Sequence, residues 1–227
     1  MRKYGFIKHS LVDYPGEVCS VVFLPGCNFK CPYCHNKSLA QEVKQEGWSL
    51  KEIMDYLEGA RAIVTAVCIT GGEPTLYPET LFFLVNVFKK MGFKVKVDSN
   101  GSSPACLSKL NKEVDYFAMD LKTSIPRYAE LLERNEDMGE KIETSMSILM
   151  NRLPDSFEFR TTLDPRFVDE AVIHDLGKRL KADTRWYLQR CRLEKKMTAE
   201  AYTDETEVIE RLCALAKKYT HYVFLRE

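Results

Sequence analysis

Short apolar runs alternate with longer amphipathic stretches over most of the chain. A short apolar run predicts a buried strand, and apolar positions at helical spacing predict a helix. Strands are predicted at 18–24, 66–70, 93–98, 114–121, 157–163, 184–190 and 221–225. Helices are predicted between them at 49–57, 78–92, 103–112, 127–150, 168–181 and 204–218. Ser49 caps the first of these helices, and Glu52 stands where it completes a capping box.

This alternation predicts an α/β fold. Strands joined by helices of this length form right-handed βαβ units and a mainly parallel sheet. Six or seven units fall short of a closed eight-stranded barrel, so we expect an open partial (βα)6-type barrel. No repeat or linker divides the chain, and residues 1–227 are predicted to be a single domain. Reactive residues should then follow the carboxyl ends of strands.

The charge balance argues against several classes of partner. The 33 Lys and Arg residues offset 33 Asp and Glu residues, so no basic field favours direct nucleic-acid binding. The longest apolar run, 81–88, is far shorter than the roughly 20 residues that span a bilayer. The first ten residues carry charges where a signal peptide has an apolar core. We therefore expect a cytoplasmic protein without a membrane partner.

Three of the eight cysteines follow the first predicted strand in a C-x3-C-x2-C pattern, Cys27, Cys31 and Cys34. Three thiolates can hold three irons of a [4Fe–4S] cluster and leave the fourth iron open. A redox dithiol of the CPYC type would leave Cys27 unexplained, and it needs a proline loop such as Thr-Val-Pro that this sequence lacks. A zinc site would add His35, whose side chain neighbours that of Cys34 and rarely converges with it on one ion. Spacing favours the cluster and leaves both alternatives open.

The other five cysteines stand singly along the chain. Single cysteines in a reducing compartment are usually buried small hydrophobic residues. We predict this for Cys19, Cys68, Cys106, Cys191 and Cys213. Cys106, which lies in a polar loop, is the one most open to another role.

The second predicted strand ends in TGGEP, residues 70–74. Its two glycines allow backbone to approach a ligand closely because no Cβ intervenes. The carboxylate of Glu73 can accept a hydrogen bond from an ammonium group. Alone, this segment would be an ordinary turn before a helix. Together with the cysteine pattern at the end of the preceding strand, it resembles the radical S-adenosylmethionine (radical SAM) superfamily.

The resemblance implies cofactors and their contacts. In that superfamily the three cysteines bind one [4Fe–4S] cluster, and the amino and carboxylate groups of SAM chelate its open iron. Gly71, Gly72 and Glu73 would contact the methionine end of SAM, and Tyr33 would lie by the adenine. An electron from the cluster would then break the S–C5′ bond and form a 5′-deoxyadenosyl radical. Cluster potentials reach about −700 mV, which covers the required range.

Two further strand ends, DSNG and MDLK, indicate which group within the superfamily the chain resembles. Each is unremarkable alone, as a turn or a surface ion pair. Together they resemble the D-T-N-G and D-L-K segments of glycyl-radical-enzyme activating enzymes. By that resemblance Asp98 and Asp120 would lie near the methionine carboxylate, through a bound monovalent cation, and Lys122 near SAM or an incoming peptide. Ser99 replaces the more usual threonine, and Asn100 in the same segment is a further candidate.

Residues 10–36 look like the start of activating proteins for anaerobic ribonucleoside-triphosphate reductase. An Asp-Tyr-Pro-Gly run stands there where related activases carry Asp-Gly-Pro-Gly. Segments 158–165 and 186–190 look like the same group and add Arg160 and Gln189 as site candidates. For these two, a role as hydrogen-bonded polar residues at the barrel end is an equal alternative.

The implied function is that of an activating enzyme. SAM would be cleaved reductively, and a hydrogen atom would leave a glycine of anaerobic ribonucleotide reductase, which then carries a glycyl radical. The partners would be this glycyl radical enzyme and a flavodoxin- or ferredoxin-type electron donor. No acid or base is needed for the step, so no catalytic residue is assigned beyond the cluster and SAM. The alternatives are an activase of a pyruvate formate-lyase type enzyme, a radical SAM enzyme for a small molecule or nucleoside, and a dithiol or zinc protein.

Overall fold

One eight-stranded sheet forms the centre of the computed structural model. The described residues are 3–34, 36–41, 47–131, 138–191 and 199–226. The strands lie in chain order as β1 (Gly5–Ser10), β2 (Cys19–Leu24), β3 (Ala66–Gly71), β4 (Lys94–Ser99), β5 (Tyr116–Asp120), β6 (Phe157–Leu163), β7 (Arg185–Arg190) and β8 (Tyr222–Arg226). β1 pairs with β2 in the antiparallel sense, and each later pair is parallel.

Helices connect the seven parallel strands. They are α1 (Lys37–Ala40), α2 (Leu50–Gly59), α3 (Pro78–Lys90), α4 (Pro104–Leu110), α5 (Gly139–Met150), α6 (Glu170–Gly177) and α7 (Ala199–Ala216), with 3-10 helices at Pro74–Leu76 and Ile125–Leu131. Six crossovers therefore join β2 to β8, which confirms the open partial (βα)6-type barrel. None of the helices in the described ranges has the length and apolar character needed to cross a membrane.

All seven predicted strands are present, and β1 is an additional one. Its sequence GFIKHS includes Lys8 and His9, and most of its residues are partly or fully exposed. An edge strand has a sheet neighbour on one side only, and polar residues are common there. A search for apolar runs therefore passes over it.

The observed helix boundaries agree less closely with the predicted ones than the strand boundaries do. The predicted capping box is confirmed: the backbone N–H of Ser49 donates to Glu52 Oε2 at 2.7 Å, and that of Glu52 donates to Ser49 Oγ at 3.3 Å. The helix predicted at 127–150 corresponds to the second 3-10 helix and α5. Residues 132–137 between them lie outside the described residues, as does His35 of the zinc alternative.

The two faces of the sheet have different chemistry. Side chains alternate along each strand, so one face packs against the helices and the other lines the barrel lumen. The helix-side face is apolar and joins the main core through residues such as Val67, Phe117 and Trp186. On the lumenal face, Cys19, Ala66 and Tyr116 begin β2, β3 and β5 and belong to one apolar cluster, whereas Asp98 and Asp120 lie at the carboxyl ends of β4 and β5. This gradient places polar groups at the carboxyl ends of the strands.

Tyr14 fills the amino-terminal end of the lumen. It is 5% exposed and packs in a cluster with Cys19, Cys68 and Tyr116, whose ring centroid lies 5.6 Å away. The loop before β2 therefore closes the barrel lumen at the amino-terminal ends of the strands. A glycine at this position, as in the Asp-Gly-Pro-Gly form, would leave that space unfilled.

The single cysteines largely follow the prediction. Cys19, Cys68, Cys106 and Cys191 are buried, and Cys213 is partly buried. Cys106 lies on the inner side of α4, within the main core. Its location therefore agrees with a packing role.

Candidate functional site

A cavity of about 340 Å³ opens at the carboxyl ends of the parallel strands. Its wall includes all thirteen residues that the sequence nominates as cluster, SAM or additional site candidates. They meet there because parallel strands end at one edge of the sheet. The volume lies within the range of about 300–1,000 Å³ that is usual for small-molecule sites.

The three thiols of the cysteine pattern lie in the loop between β2 and α1. All three are free and partly buried. The loop is tied down by backbone bonds from Gly26 N–H to Leu39 O at 2.9 Å and from Cys34 N–H to Cys31 O at 3.1 Å. Burial raises the pKa of Cys27 to about 11. Iron binds thiolates, so loading this site must displace protons.

The cysteine geometry also bears on the zinc alternative. No three imidazole, thiol or carboxylate groups within the described ranges are arranged to hold one metal ion. In a cubane cluster each thiolate ligates a different iron, whereas zinc draws all its ligands to one point.

The glycines of TGGEP serve backbone packing. Gly71 has φ +138°, and a Cβ there would lie 2.1 Å from the carbonyl oxygen of Leu24. A Cβ on Gly72 would lie 1.9 Å from that of Gly26. Hydrogen bonds from Gly72 N–H to Leu24 O at 2.9 Å and from Glu73 N–H to Gly26 O at 2.7 Å join the two loops. The two glycines therefore allow close approach of the backbone at the end of β2 and in the cysteine loop. Both also line the cavity, and their contact with a ligand stays a prediction.

The Glu73 carboxylate is fixed in the cavity wall by three residues. It is 1% exposed. Its Oε1 accepts from the hydroxyls of Thr75 at 2.5 Å and Ser99 at 2.9 Å, and its Oε2 accepts from Asn100 N–H at 2.6 Å. Burial raises the pKa of Glu73, and these hydrogen bonds oppose the rise in part. The hydroxyl that Ser99 retains from the usual threonine thus has a defined partner.

Five charged side chains form a continuous chain across the lumen, which we call the charged chain. In order it runs Lys96, Asp98, Arg160, Asp120 and Lys122. Burial alone would raise the pKa of both carboxyls, but the adjacent cations outweigh it. The pKa of Asp98 falls below its usual value, and that of Asp120 falls to about 2. Both carboxylates are therefore ionised at neutral pH.

Lys96 is the member of this chain that the sequence reasoning missed. Its side chain is 2% exposed and is ion-paired with Asp98. The available signal was its position two residues before Asp98 in the same strand, which puts both on the lumenal face. A lysine two residues before a candidate carboxylate, in a strand whose intervening residues are valines, marks such a pair.

Tyr33 and Asn100 provide two further polar groups. Tyr33 is 8% exposed, and within the described ranges its hydroxyl has no hydrogen-bond partner. Burial raises the pKa of this phenol. Asn100 Nδ2 donates to Asn28 Oδ1 at 2.9 Å and so connects β4 to the cysteine loop. A buried hydroxyl without a partner is costly, and a polar ligand in the cavity would satisfy it.

Comparison with known proteins identifies the family. A sequence model described as the radical SAM superfamily matches residues 21–176, more than half of the chain. The chain belongs to the radical SAM superfamily. This confirms the resemblance drawn from the cysteine and TGGEP motifs. Membership implies a [4Fe–4S] cluster and SAM as cofactors.

Relatives within the radical SAM superfamily include activating enzymes. A Methanocaldococcus jannaschii protein named as a glycyl-radical enzyme activating enzyme is 34% identical over 98% of this chain and 94% of its own length. A pyruvate formate-lyase-activating enzyme of Clostridium pasteurianum is 31% identical over 53% of this chain and 52% of its own. The structure of QueE from Escherichia coli has a TM-score of 0.54 at 16% identity, covering 99% and 94% of the two chains. That last similarity concerns the fold alone.

The residues present fit the two cofactors of a radical SAM protein. Three thiols lie on one wall of the cavity, and a buried carboxylate and the charged chain lie on the others. The hydroxyl of Tyr33, which has no hydrogen-bond partner among the described residues, adds a polar contact for a ligand inside. Thiols suit iron, and opposed charges suit the amino and carboxylate ends of SAM.

Proposed function

We propose that this protein is an activating enzyme that produces a glycyl radical in anaerobic ribonucleotide reductase. The observation that carries the proposal is similarity over nearly the whole length to a relative named as a glycyl-radical enzyme activating enzyme. The likeness of residues 10–36 to activating proteins of the reductase supports the finer choice of partner. The match to a pyruvate formate-lyase-activating enzyme makes that enzyme type the second candidate.

The roles proposed for the site residues follow from their chemistry. Cys27, Cys31 and Cys34 would hold the cluster as thiolates. Glu73, with its oxygens already oriented by neutral donors, would accept from the amino group of SAM. Tyr33 would face the adenine. Bound together, the cluster and SAM supply a one-electron cleavage whose organic radical removes a hydrogen atom from glycine.

The contribution of this chain is then to bind, orient and exclude water. The cysteine loop and TGGEP are joined by backbone hydrogen bonds, so the groups that would hold the cluster and SAM are held next to each other. Tyr14 closes the lumen below. A glycine-bearing loop of the partner would therefore enter from the carboxyl ends of the strands. A flavodoxin- or ferredoxin-type protein would supply the electron.

The test combines two measurements on anaerobically reconstituted protein. Reduced protein should cleave SAM, and mixing it with anaerobic ribonucleotide reductase should give the glycyl doublet in electron paramagnetic resonance. A doublet only with a pyruvate formate-lyase type enzyme would move the partner to the second candidate. Intact SAM under all reducing conditions would overturn the proposal as a whole.

A further inference from the structure

The carboxylates of Asp98 and Asp120 have a guanidinium between them. Arg160 Nη1 donates to Asp98 Oδ2 at 3.0 Å, and Arg160 Nε donates to Asp120 Oδ1 at 2.8 Å. The other oxygen of Asp98 accepts from the ammonium of Lys96. The other oxygen of Asp120 accepts from Lys122 Nζ at 3.1 Å. All four carboxylate oxygens therefore already accept from a cationic side chain.

This arrangement does not fit the monovalent cation expected between the two aspartates. Hard cations take oxygen ligands, and the charged oxygens here are engaged. An ion between them would compete with Arg160 for these oxygens, and the side chain of Arg160 is 15% exposed and does not lose its charge. If both stayed, two positive charges would share one partly buried space and repel each other.

The charged chain also has an unbalanced charge. It contains three cations and two carboxylates, which leaves one positive charge. Arg160 and Lys122 line the cavity, while Lys96 is buried behind Asp98. The cavity wall as a whole also carries Asp13 and Glu73, so the positive charge is local to these two side chains. There the planar guanidinium matches a carboxylate in shape and charge.

We propose that Arg160 takes the place of the monovalent cation by bridging Asp98 and Asp120. The charged chain then binds a carboxylate without any metal ion. The identity of that carboxylate, the methionine end of SAM, rests on the proposed function. The exclusion of the ion does not, because it depends only on the contacts of Arg160.

The first experiment addresses the ion directly. The apoprotein is melted at constant ionic strength in potassium, sodium or tetramethylammonium chloride, the last being a cation too bulky for the space. A bound ion would stabilise the folded state by mass action. We expect the three melting temperatures to agree within about 1 °C. A rise of more than about 3 °C that is specific to potassium or sodium would overturn the proposal.

The second experiment measures SAM binding by equilibrium dialysis of the anaerobically reconstituted protein in the same three salts. Wild-type affinity should vary by less than about twofold between them, and Arg160→Gln should bind about 10- to 100-fold more weakly in tetramethylammonium. Potassium should restore part of that loss, because the freed oxygens can then hold an ion. A wild-type affinity that falls tenfold without potassium or sodium, or an unchanged Arg160→Gln variant, would overturn the proposal.

A matched control comes from the same lumen. Arg226 donates to both oxygens of Glu158 at 2.8 and 2.9 Å and is not among the residues that line the cavity. Arg226→Gln should leave the SAM affinity within about twofold of wild type. If the loaded wild-type protein binds no SAM in any salt, the proposed function fails, while the melting comparison still tests whether the apoprotein binds a monovalent ion. That comparison also stands if Arg160→Gln does not fold.

Discussion

Replacing Gly72 with alanine should disrupt the cysteine loop although no cysteine changes. The new Cβ would lie 1.9 Å from the carbonyl oxygen of Gly26, whereas ordinary contact begins at 3.4 Å. The two backbones must therefore separate by about 1.5 Å. Gly26 directly precedes Cys27, so this displacement reaches the first cysteine of the pattern.

The cost can be worked from the hydrogen bonds between the two loops. Separation breaks the bond from Glu73 N–H to Gly26 O at 2.7 Å and strains that from Gly72 N–H to Leu24 O at 2.9 Å. A buried donor left unpaired costs about 1–3 kcal/mol. We therefore expect the free energy of unfolding of Gly72→Ala to fall by about 2–4 kcal/mol.

Two assays check this prediction. Denaturant unfolding of the apoprotein gives the free energy, and iron analysis after anaerobic reconstitution gives the cluster content, which should fall below about half of the wild-type value. Gly59→Ala is the control, because a Cβ at the end of α2 meets nothing within 4 Å. It should change stability by less than about 1 kcal/mol. If Gly72→Ala matched this control in both assays, backbone contact would not be the reason for glycine at this position.

Substitutions at three other positions test the packing and charge of the barrel lumen by denaturant unfolding. Ser99→Ala removes a hydroxyl that donates to Glu73 at 2.9 Å and accepts from Gly101 N–H at 3.0 Å, so a loss of about 1–3 kcal/mol is expected. Ser99→Thr should avoid that loss, and equal losses in both variants would contradict the assignment. Tyr14→Ala empties the lower lumen and should cost about 3–5 kcal/mol; a cost below about 1 kcal/mol would refute its packing role. Because the folded pKa of Asp120 is about 2 against an ordinary 3.8, its stabilisation is present above pH 3.8 and lost as the pH falls toward 2. In Asp120→Asn, the free energy of unfolding should change less with pH over that range than it does in the wild type. Parallel pH curves for the two proteins would refute this.

The sequence by itself determined the strand order and the place of the site. Alternation of apolar and amphipathic segments is a local property, and it located all seven parallel strands. Candidate residues chosen because they follow strands then line one cavity, since parallel strands end together. The same logic missed β1, whose polar residues suit an edge.

The tertiary structure alone decided what the site residues touch. Neither the position of Arg160 between two aspartates nor the contact of Gly72 with Gly26 can be inferred from spacing along one strand. These contacts depend on the curvature of the sheet and on the register between strands 20 to 60 or so residues apart in sequence, which non-local packing sets.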